Sequence, residues 1–307
     1  MLGEIVPDRA THASPLQDRH VPKSSTRIFA ILARAAPVGV ILRRGPSKQV
    51  LLLKWNLATD KLQLGQWFKG RIYERRCDLS PSGDLLIYFA AKFKPPLYSW
   101  TAISRPPFLT ALALWPKGDT WGGGGVFDAG HSVRLNHLPG QDDLAPGFSL
   151  RGNIKVACFG QYSGRGEDFP IYHFLLERNG WKYRGHATES RPARDRCFPI
   201  TYEKKTDSGM TLQMRMRGSG KLRDTWYRTD HAVFDNDGNE LFSLPGTNWA
   251  DWHGRHLLFV KGCRLFRLRK DRFSQYLNHG DRALKLVADL NSLKFEERAP
   301  PRKAAFW

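Results

Sequence analysis

Residues 72–127 constrain the fold of this chain more than any other stretch. Ser80 to Gly83 reads Ser-Pro-Ser-Gly, where proline fixes φ at the second turn position and glycine accepts the left-handed conformation. A dense run of β-forming residues, Leu85 to Ala91, follows this turn. Two more strand-length runs, 97–103 and 108–115, lie between Pro or Gly clusters. The stretch therefore predicts consecutive short strands joined by tight turns.

The same succession of short strands and turns continues through most of the chain. Asn179-Gly180 has the composition of a hairpin turn, and Asp235 to Gly238 is a second turn of this kind. Between residues 271 and 281 we expect one helical turn. The other predicted strands are 38–42, 50–55, 62–67, 154–159, 171–177, 181–184, 198–203, 211–217, 226–228, 231–234, 248–252, 257–260, 264–268 and 284–290.

The order strand, Ser-Pro-Ser-Gly turn, strand and aromatic strand in 72–127 resembles one blade of a β-propeller whose inner hairpin carries a Ser-Pro-x-Gly turn. Residues 248–268, with turns at His253-Gly254 and Lys261-Gly262, resemble a second blade. The resemblance is to β-propeller repeat proteins and to uncharacterised, bacterial-type propeller-like proteins, at the level of the fold. It implies an all-β chain with about five or six degenerate four-stranded blades. An irregular β-sandwich is the alternative.

Composition divides the chain into three parts. Residues 1–26 are rich in proline and poor in aromatic residues, which predicts a disordered N-terminal tail. Residues 27–295 form the single propeller-like β domain, and 296–307 form a Pro- and charge-rich C-terminal tail. No apolar run is long enough to span a bilayer, so we expect no membrane insertion. The 4 cysteines are far apart without a Cys-x-x-Cys pair, which favours reduced thiols in a cytoplasmic protein.

The charge balance is the strongest anomaly of the composition. The chain carries 48 Lys and Arg against 29 Asp and Glu, a formal net charge of +19. A surface with this charge attracts polyanions such as nucleic acid. Two clusters of basic residues are the candidate polyanion-binding residues. They are Arg215, Arg217, Lys221 and Arg223, and then Lys261, Arg264, Arg267, Arg269, Lys270 and Arg272.

No motif predicts a catalytic, cofactor or metal site. The glycine run 122–125 lacks the following Lys-Ser/Thr pair of a phosphate-binding loop, and instead favours close approach of backbones. The histidine pair His253 and His256 offers too few ligands for zinc. We therefore predict no cofactor, no metal and no catalytic residues.

Three function classes remain open. The leading hypothesis is a non-catalytic binding or scaffold module that recognises a macromolecular partner, most simply a protein, through propeller loops. The first alternative is a basic polyanion-binding protein that contacts nucleic acid through the two clusters. The second alternative is an enzyme whose Asp and His side chains converge at the channel mouth.

Overall fold

Strands dominate the structure, a computed structural model of the chain, and the prediction of an all-β fold is confirmed. The predicted N-terminal tail, 1–26, lies outside the described residues except for Thr26. No helix within the described part is long and apolar enough to cross a membrane. The structure describes residues 26–45, 48–151, 153–186, 199–218 and 227–307.

The first sheet is an antiparallel meander of four strands in chain order. Its third strand carries the apolar run Val50 to Leu53, in which all four side chains are buried. Burial on both faces means that other elements cover the sheet on either side. The strands are β1 (Arg27–Leu32), β2 (Val38–Arg44), β3 (Gln49–Asn56) and β4 (Leu62–Lys69).

The second sheet contains the predicted Ser-Pro-Ser-Gly turn. Gly83 has a φ of +78°, and its N–H donates to the carbonyl of Ser80 at 2.9 Å. The Ser80 hydroxyl accepts from the backbone N–H groups of Asp84 and Leu85, so the prediction of this turn is confirmed. The strands are β5 (Arg71–Ile72), β6 (Asp78–Leu79), β7 (Leu86–Ala91), β8 (Ser99–Ser104) and β9 (Ala113–Pro116). Both β5 and β6 pair with β7.

The third sheet is small and follows the glycine run. Gly122, Gly123 and Gly124 all have positive φ, and a Cβ on Gly124 would overlap the carbonyl oxygen of Arg76. The structural interpretation of the run is thereby confirmed, because only glycine allows this approach. The strands are β10 (Gly125–Ala129), β11 (Ser132–Leu135) and β12 (Lys155–Cys158), and β12 pairs with β11 in parallel.

The strand predicted at 171–177 is wrong, because Ile171–Arg178 forms a helix, α1. Its apolar residues recur at the helical period, and Asn179-Gly180 ends the helix instead of turning a hairpin. Gly180 has a φ of +88°, its N–H donates to Glu177 at 3.0 Å, and the N–H of Trp181 donates to Leu176 at 2.9 Å. These two bonds are the Schellman arrangement of a helix C-terminus.

The remaining strands form two antiparallel meanders in chain order. Burial alternates along the predicted strand 211–217, since Leu212, Met214 and Met216 are buried and Arg215 and Arg217 are exposed. The fourth sheet contains β13 (Lys182–His186), β14 (Ile200–Lys205), β15 (Thr211–Gly218), β16 (Tyr227–Phe234) and β17 (Glu240–Leu244). The fifth contains β18 (Thr247–His253), β19 (His256–Lys261), β20 (Arg264–Arg269) and β21 (Lys285–Asp289).

Short helices complete the described chain. A helix, α2 (Phe273–His279), lies within 271–281, where the sequence predicts one helical turn. In the C-terminal segment 296–307, Ala304 is buried and the Trp307 indole donates to the carbonyl of Ser149 at 2.8 Å. The other helices are α3 (Arg302–Ala305) and the 3-10 turns Glu74–Arg76, Lys270–Arg272 and Gly280–Ala283.

Sheets that follow one another in the chain pack against one another. Strand β1 contacts β6 of the second sheet, β6 and β7 contact β10 of the third, and α1 contacts β10 and β13. Strand β18 contacts both β16 and β1, so the fifth sheet touches the fourth and the first. The side chain of Phe29 packs against three separate apolar clusters. The core therefore consists of several clusters between neighbouring sheets.

The first prediction concerns the glycine run. Gly124→Ala should lower the free energy of unfolding by about 3 kcal/mol, from left-handed strain plus overlap with Arg76. Gly118 is the matched control, because its φ of +83° is similar and its Cβ would meet no described atom within 4 Å. Gly118→Ala should lose only about 1 kcal/mol. Equal losses in urea denaturation of the two variants would contradict the close approach.

The second prediction concerns acid stability. The His137 Nδ1–H donates to the carbonyl of Gln141 and its Nε2 accepts from Thr101, each at 2.7 Å, while burial lowers its pKa to about 4. The unfolded chain, with a histidine pKa near 6.5, binds the proton more tightly. Stability contributed by the neutral ring is thus complete above pH 6.5 and falls as the pH drops toward about 4.

The loss should reach about 3 kcal/mol at about 1.4 kcal/mol per pH unit. Urea denaturation of the wild type and of His137→Gln between pH 7 and pH 4 checks this value. The variant should show a shallower dependence on pH, and identical slopes would contradict the prediction.

Candidate anion-binding site

Two neighbouring cavities lie between the sheets. The first, which we call the arginine chamber, has a volume of about 270 Å³. The second, the apolar chamber, has a volume of about 510 Å³. Their walls share Phe29, Glu74, Arg75 and Asn248, so a single layer of side chains borders both.

The arginine chamber collects cations from the ends of separate strands. Arg27 begins β1 and Arg44 ends β2, and the two are direct partners across this antiparallel pair. The N–H of Gly70 donates to the carbonyl of Lys48 at 2.8 Å, which fixes the start of β5 and therefore Arg71 beside the β2–β3 turn. The meander of the first sheet thus gathers arginines that are distant in sequence.

Several of these arginines are held by carboxylates. Arg76 is buried and donates to Asp168 at 2.9 Å and to the carbonyls of Thr120 and Gly122 at 2.8 and 2.6 Å. Arg44 lies 3.7 Å from Glu74. Arg71 instead stacks over the ring of Tyr73 at 4.4 Å and has no carboxylate partner among the described residues. The Arg71 side chain is therefore a cation that another anion can approach.

A groove next to the arginine chamber continues this basic surface. Its walls are Arg44, Lys48, Gly70, Arg71 and Phe93, around a volume of about 270 Å³. We call it the Phe93 groove. The ammonium of Lys48 lies 5.4 Å from the centre of the Phe93 ring. Cations and an aromatic ring therefore line the same small space.

Phe93 has an unusual backbone. Its φ is +59°, a left-handed conformation that costs a residue with a Cβ roughly 1–2 kcal/mol. The N–H groups of Lys92 and Phe93 both donate to the carbonyl of Tyr98, at 3.0 and 3.1 Å, and this holds the loop. The ring of Tyr98 meets that of Phe93 edge to face at 5.3 Å and is 42% exposed. The Phe93 ring thus lines the groove, and the exposed Tyr98 ring is held against it.

We define the basic patch as the cations around this groove that pair with no carboxylate among the described residues. Its lysines are exposed, whereas Arg71 is half-buried. An arginine and flexible lysines without carboxylate partners are the groups that contact phosphates or other anions most readily. The basic patch consists of Lys48, Lys69, Arg71, Lys92 and Lys94.

Arg267, which the sequence analysis proposes as a polyanion ligand, forms an internal ion pair in the structure. Arg267 is 7% exposed, and its guanidinium donates to Asp60 at 2.7 Å and to the carbonyl of Leu57 at 2.9 Å. Burial raises the pKa of the Asp60 carboxyl, but hydrogen bonds and charges from Arg267 and Lys285 outweigh this effect, so the pKa lies below its usual value. Arg267 therefore connects the fifth sheet to the first and is no exposed phosphate ligand.

Most of the other predicted cations have local partners. Lys221 and Arg223 lie outside the described residues. Lys270 is exposed. The paired cations are Lys261 with Asp281, Arg264 with Asp289, Arg269 with Asp271, Arg217 with Asp230, Arg215 with Gln213 and Arg272 with Gln275.

The apolar chamber has paired charges in a wall that also contains Tyr172, Trp181, Trp249 and Trp252. Arg178 donates to Asp78 at 2.7 Å and Lys204 donates to Asp251 at 2.6 Å. Each of these carboxylates thus holds a cation and is not placed as a general base. His231 lines the same wall, and burial lowers its pKa to about 3, so the ring is neutral. No group of three or more His, Cys, Asp or Glu in the described chain could hold a metal ion.

The cysteines and the predicted histidine pair have structural surroundings. Cys77 and Cys263 are buried and Cys158 is exposed, all without a disulfide, while Cys197 lies outside the described residues. His253 and His256 are partners across the β18–β19 turn. Neither the described cysteines nor the histidine pair forms a cluster that could hold a metal ion.

Comparison with known proteins does not assign the chain to a family. No protein-family model matches the chain, and no curated protein matches it. Among solved structures, the chain is similar to Kuenenia stuttgartiensis hydrazine synthase, with 8% sequence identity and a TM-score of 0.31. The alignment covers 87% of this chain and 84% of that one. A similarity at this level carries no argument about function.

The third prediction separates a structural cation from a surface cation. Arg267→Met leaves the Asp60 carboxylate short of its main partner and should lower the free energy of unfolding by about 3 kcal/mol. The matched control, Arg264→Met, removes a side chain that is 55% exposed and should change it by less than about 1 kcal/mol. Urea denaturation measures both values. Comparable losses in the two variants would contradict the assignment of Arg267.

Proposed function

We propose that the protein is a non-catalytic binding module whose basic patch contacts a polyanionic macromolecule. The observation that carries this proposal is the difference between two kinds of cation. The cations of the basic patch lack carboxylate partners among the described residues, whereas Arg217, Arg264 and Arg269 each have one. An anion that meets the basic patch displaces water and counterions and breaks no ion pair among the described residues.

We also propose a propeller-like arrangement of the five sheets. Two observations support it: four of the sheets are meanders in chain order or close to it, and the fifth sheet contacts the first through β18 and β1. The described residues form five sheets, the lower of the two blade numbers that the sequence resemblance implies, and two of these sheets have the four strands expected of a blade. In such an arrangement the connections between strands form rigid rims, which suit recognition of a partner.

The global charge alone would not direct a partner to one place. At physiological salt, screening reduces electrostatic interactions beyond about 8 Å, so charges must lie close together to act on the same ligand. Hydrogen bonding and strand register do bring the basic patch together, since Gly70 bonds to Lys48 and Arg71 is the partner of Ala91 in β7. The patch therefore supports local binding better than the net charge of +19 does.

An enzyme is the weaker alternative. Its site would need Asp or His side chains available for proton transfer, and the apolar chamber instead holds Asp78 and Asp251 in short ion pairs. A module for a protein partner remains the main competitor. It differs from the proposal in having little dependence on salt.

The fourth prediction tests the proposed function by fluorescence anisotropy with labelled heparin, single-stranded RNA and duplex DNA. At least one of these polyanions should bind, and its Kd should rise more than tenfold between about 50 and 200 mM salt. Lys48→Glu with Arg71→Glu should weaken binding at least tenfold. The control variant, Arg264→Glu with Arg269→Glu, changes the net charge by the same amount but outside the basic patch. It should weaken polyanion binding less than threefold.

Two outcomes would contradict the proposal. Equal weakening by both double variants would mean that net charge, and not the basic patch, determines binding. Absence of binding to every polyanion at the lower salt concentration would favour a protein partner recognised without charge. Circular dichroism of each variant checks that the fold is retained.

A further inference from the structure

We infer that the Phe93 groove binds single-stranded nucleic acid, with bases stacked on Phe93 and Tyr98 and phosphates on Lys48 and Arg71. This inference rests on the proposed function and deepens it, because it names the polymer and the groups that recognise it. A strand of nucleic acid presents both a flat π surface and a charge at each nucleotide. The groove offers partners for both within one space.

Two cations of the basic patch line the same groove as the Phe93 ring. Lys48 and Arg71 line the groove together with Phe93, and the exposed Lys92 and Lys94 flank Phe93 in the chain. The Lys48 ammonium lies over the Phe93 ring in the absence of a ligand. A base that stacks there takes its place, and the flexible lysine side chain can then contact the adjacent phosphate.

Phe93 packs in part against the buried cluster of Tyr73, Phe89 and Ala91, but its backbone conformation indicates a role beyond this packing. A left-handed backbone position is adopted most easily by glycine, yet the chain carries a bulky aromatic residue there, only partly buried. Bonds from two N–H groups to Tyr98 keep the residue in this conformation, and Tyr98 itself remains 42% exposed. A pair of aromatic rings held rigidly beside cations is the usual stacking platform of a strand-binding surface.

The aromatic rings also discriminate between polyanions. Heparin and acidic proteins supply charge without a base to stack. Duplex nucleic acid keeps its bases stacked inside the helix, so their faces cannot reach Phe93. Only an unpaired strand can use the rings and the cations together.

The fifth prediction compares an oligothymidylate with an abasic oligodeoxyribose phosphate of the same length. Both have the same backbone charge, and only the first has bases. The wild type should bind the oligothymidylate about tenfold more tightly than the abasic strand, and more tightly than a duplex. Phe93→Gly removes the ring where glycine suits the backbone, and should bind both single strands with the same, weaker affinity, while circular dichroism shows that the fold is retained.

A second variant and a control make the result independent of any one substitution. Tyr98→Ala should weaken oligothymidylate binding several-fold and leave abasic-strand binding unchanged. Tyr162→Ala removes a ring that is 59% exposed and does not line the groove, and should change neither affinity.

The outcomes separate the two proposals. Equal affinity of the wild type for the two strands, lost on Lys48→Glu with Arg71→Glu, would leave the proposed function standing and overturn the stacking site. Tighter binding of duplex than of single strand would overturn it as well. Absence of binding to any strand, duplex or heparin would reject both proposals.

Discussion

The contact between Arg76 and the glycine run is the constraint on which the central part of the structure depends. The guanidinium donates to Asp168, Thr120 and Gly122, and its face lies 4.7 Å from the ring centre of Tyr73. A buried arginine needs this full set of partners, since each unpaired N–H would be costly away from water. The second sheet, the third sheet and the segment before α1 are therefore fixed relative to one another. Tyr73, Arg76 and Asp168 also line the arginine chamber, so this arrangement fixes one of its walls.

The strands and turns of the chain follow from local sequence, and the correction at α1 shows where local information ends. Ser80 and Gly83 specify their turn by themselves, because their geometry depends on neighbouring residues. Asn179-Gly180 supports either a hairpin or a helix C-terminus with the same left-handed glycine. The choice was made by the surroundings, where Ile171 and Leu175 pack against Val126. Such contacts join residues too far apart for any pattern in the sequence to show.

The candidate site was the least predictable feature, for a related reason. Clusters along the sequence favour residues such as Arg264 and Arg269, but acidic residues come to lie beside them in the structure. The basic patch combines cations from 48 to 94 that meet only through strand pairing. Its one local signal is a cation next to a glycine at a strand end, as in Lys69-Gly70-Arg71. The left-handed backbone of Phe93 has no signal in the sequence.

The contact between the fifth sheet and the first has a consequence for synthesis of the chain. Ile28 and Ala30 of β1 belong to the same cluster as Trp249 and Leu258, and Asp60 forms its ion pair with Arg267 of the fifth sheet. A ribosome releases these groups in order, so the apolar face of the first sheet stays uncovered until the last sheet leaves the exit tunnel. The nascent chain therefore exposes an apolar surface for most of translation. The order of the sheets therefore sets how long this apolar surface stays open to association with other chains.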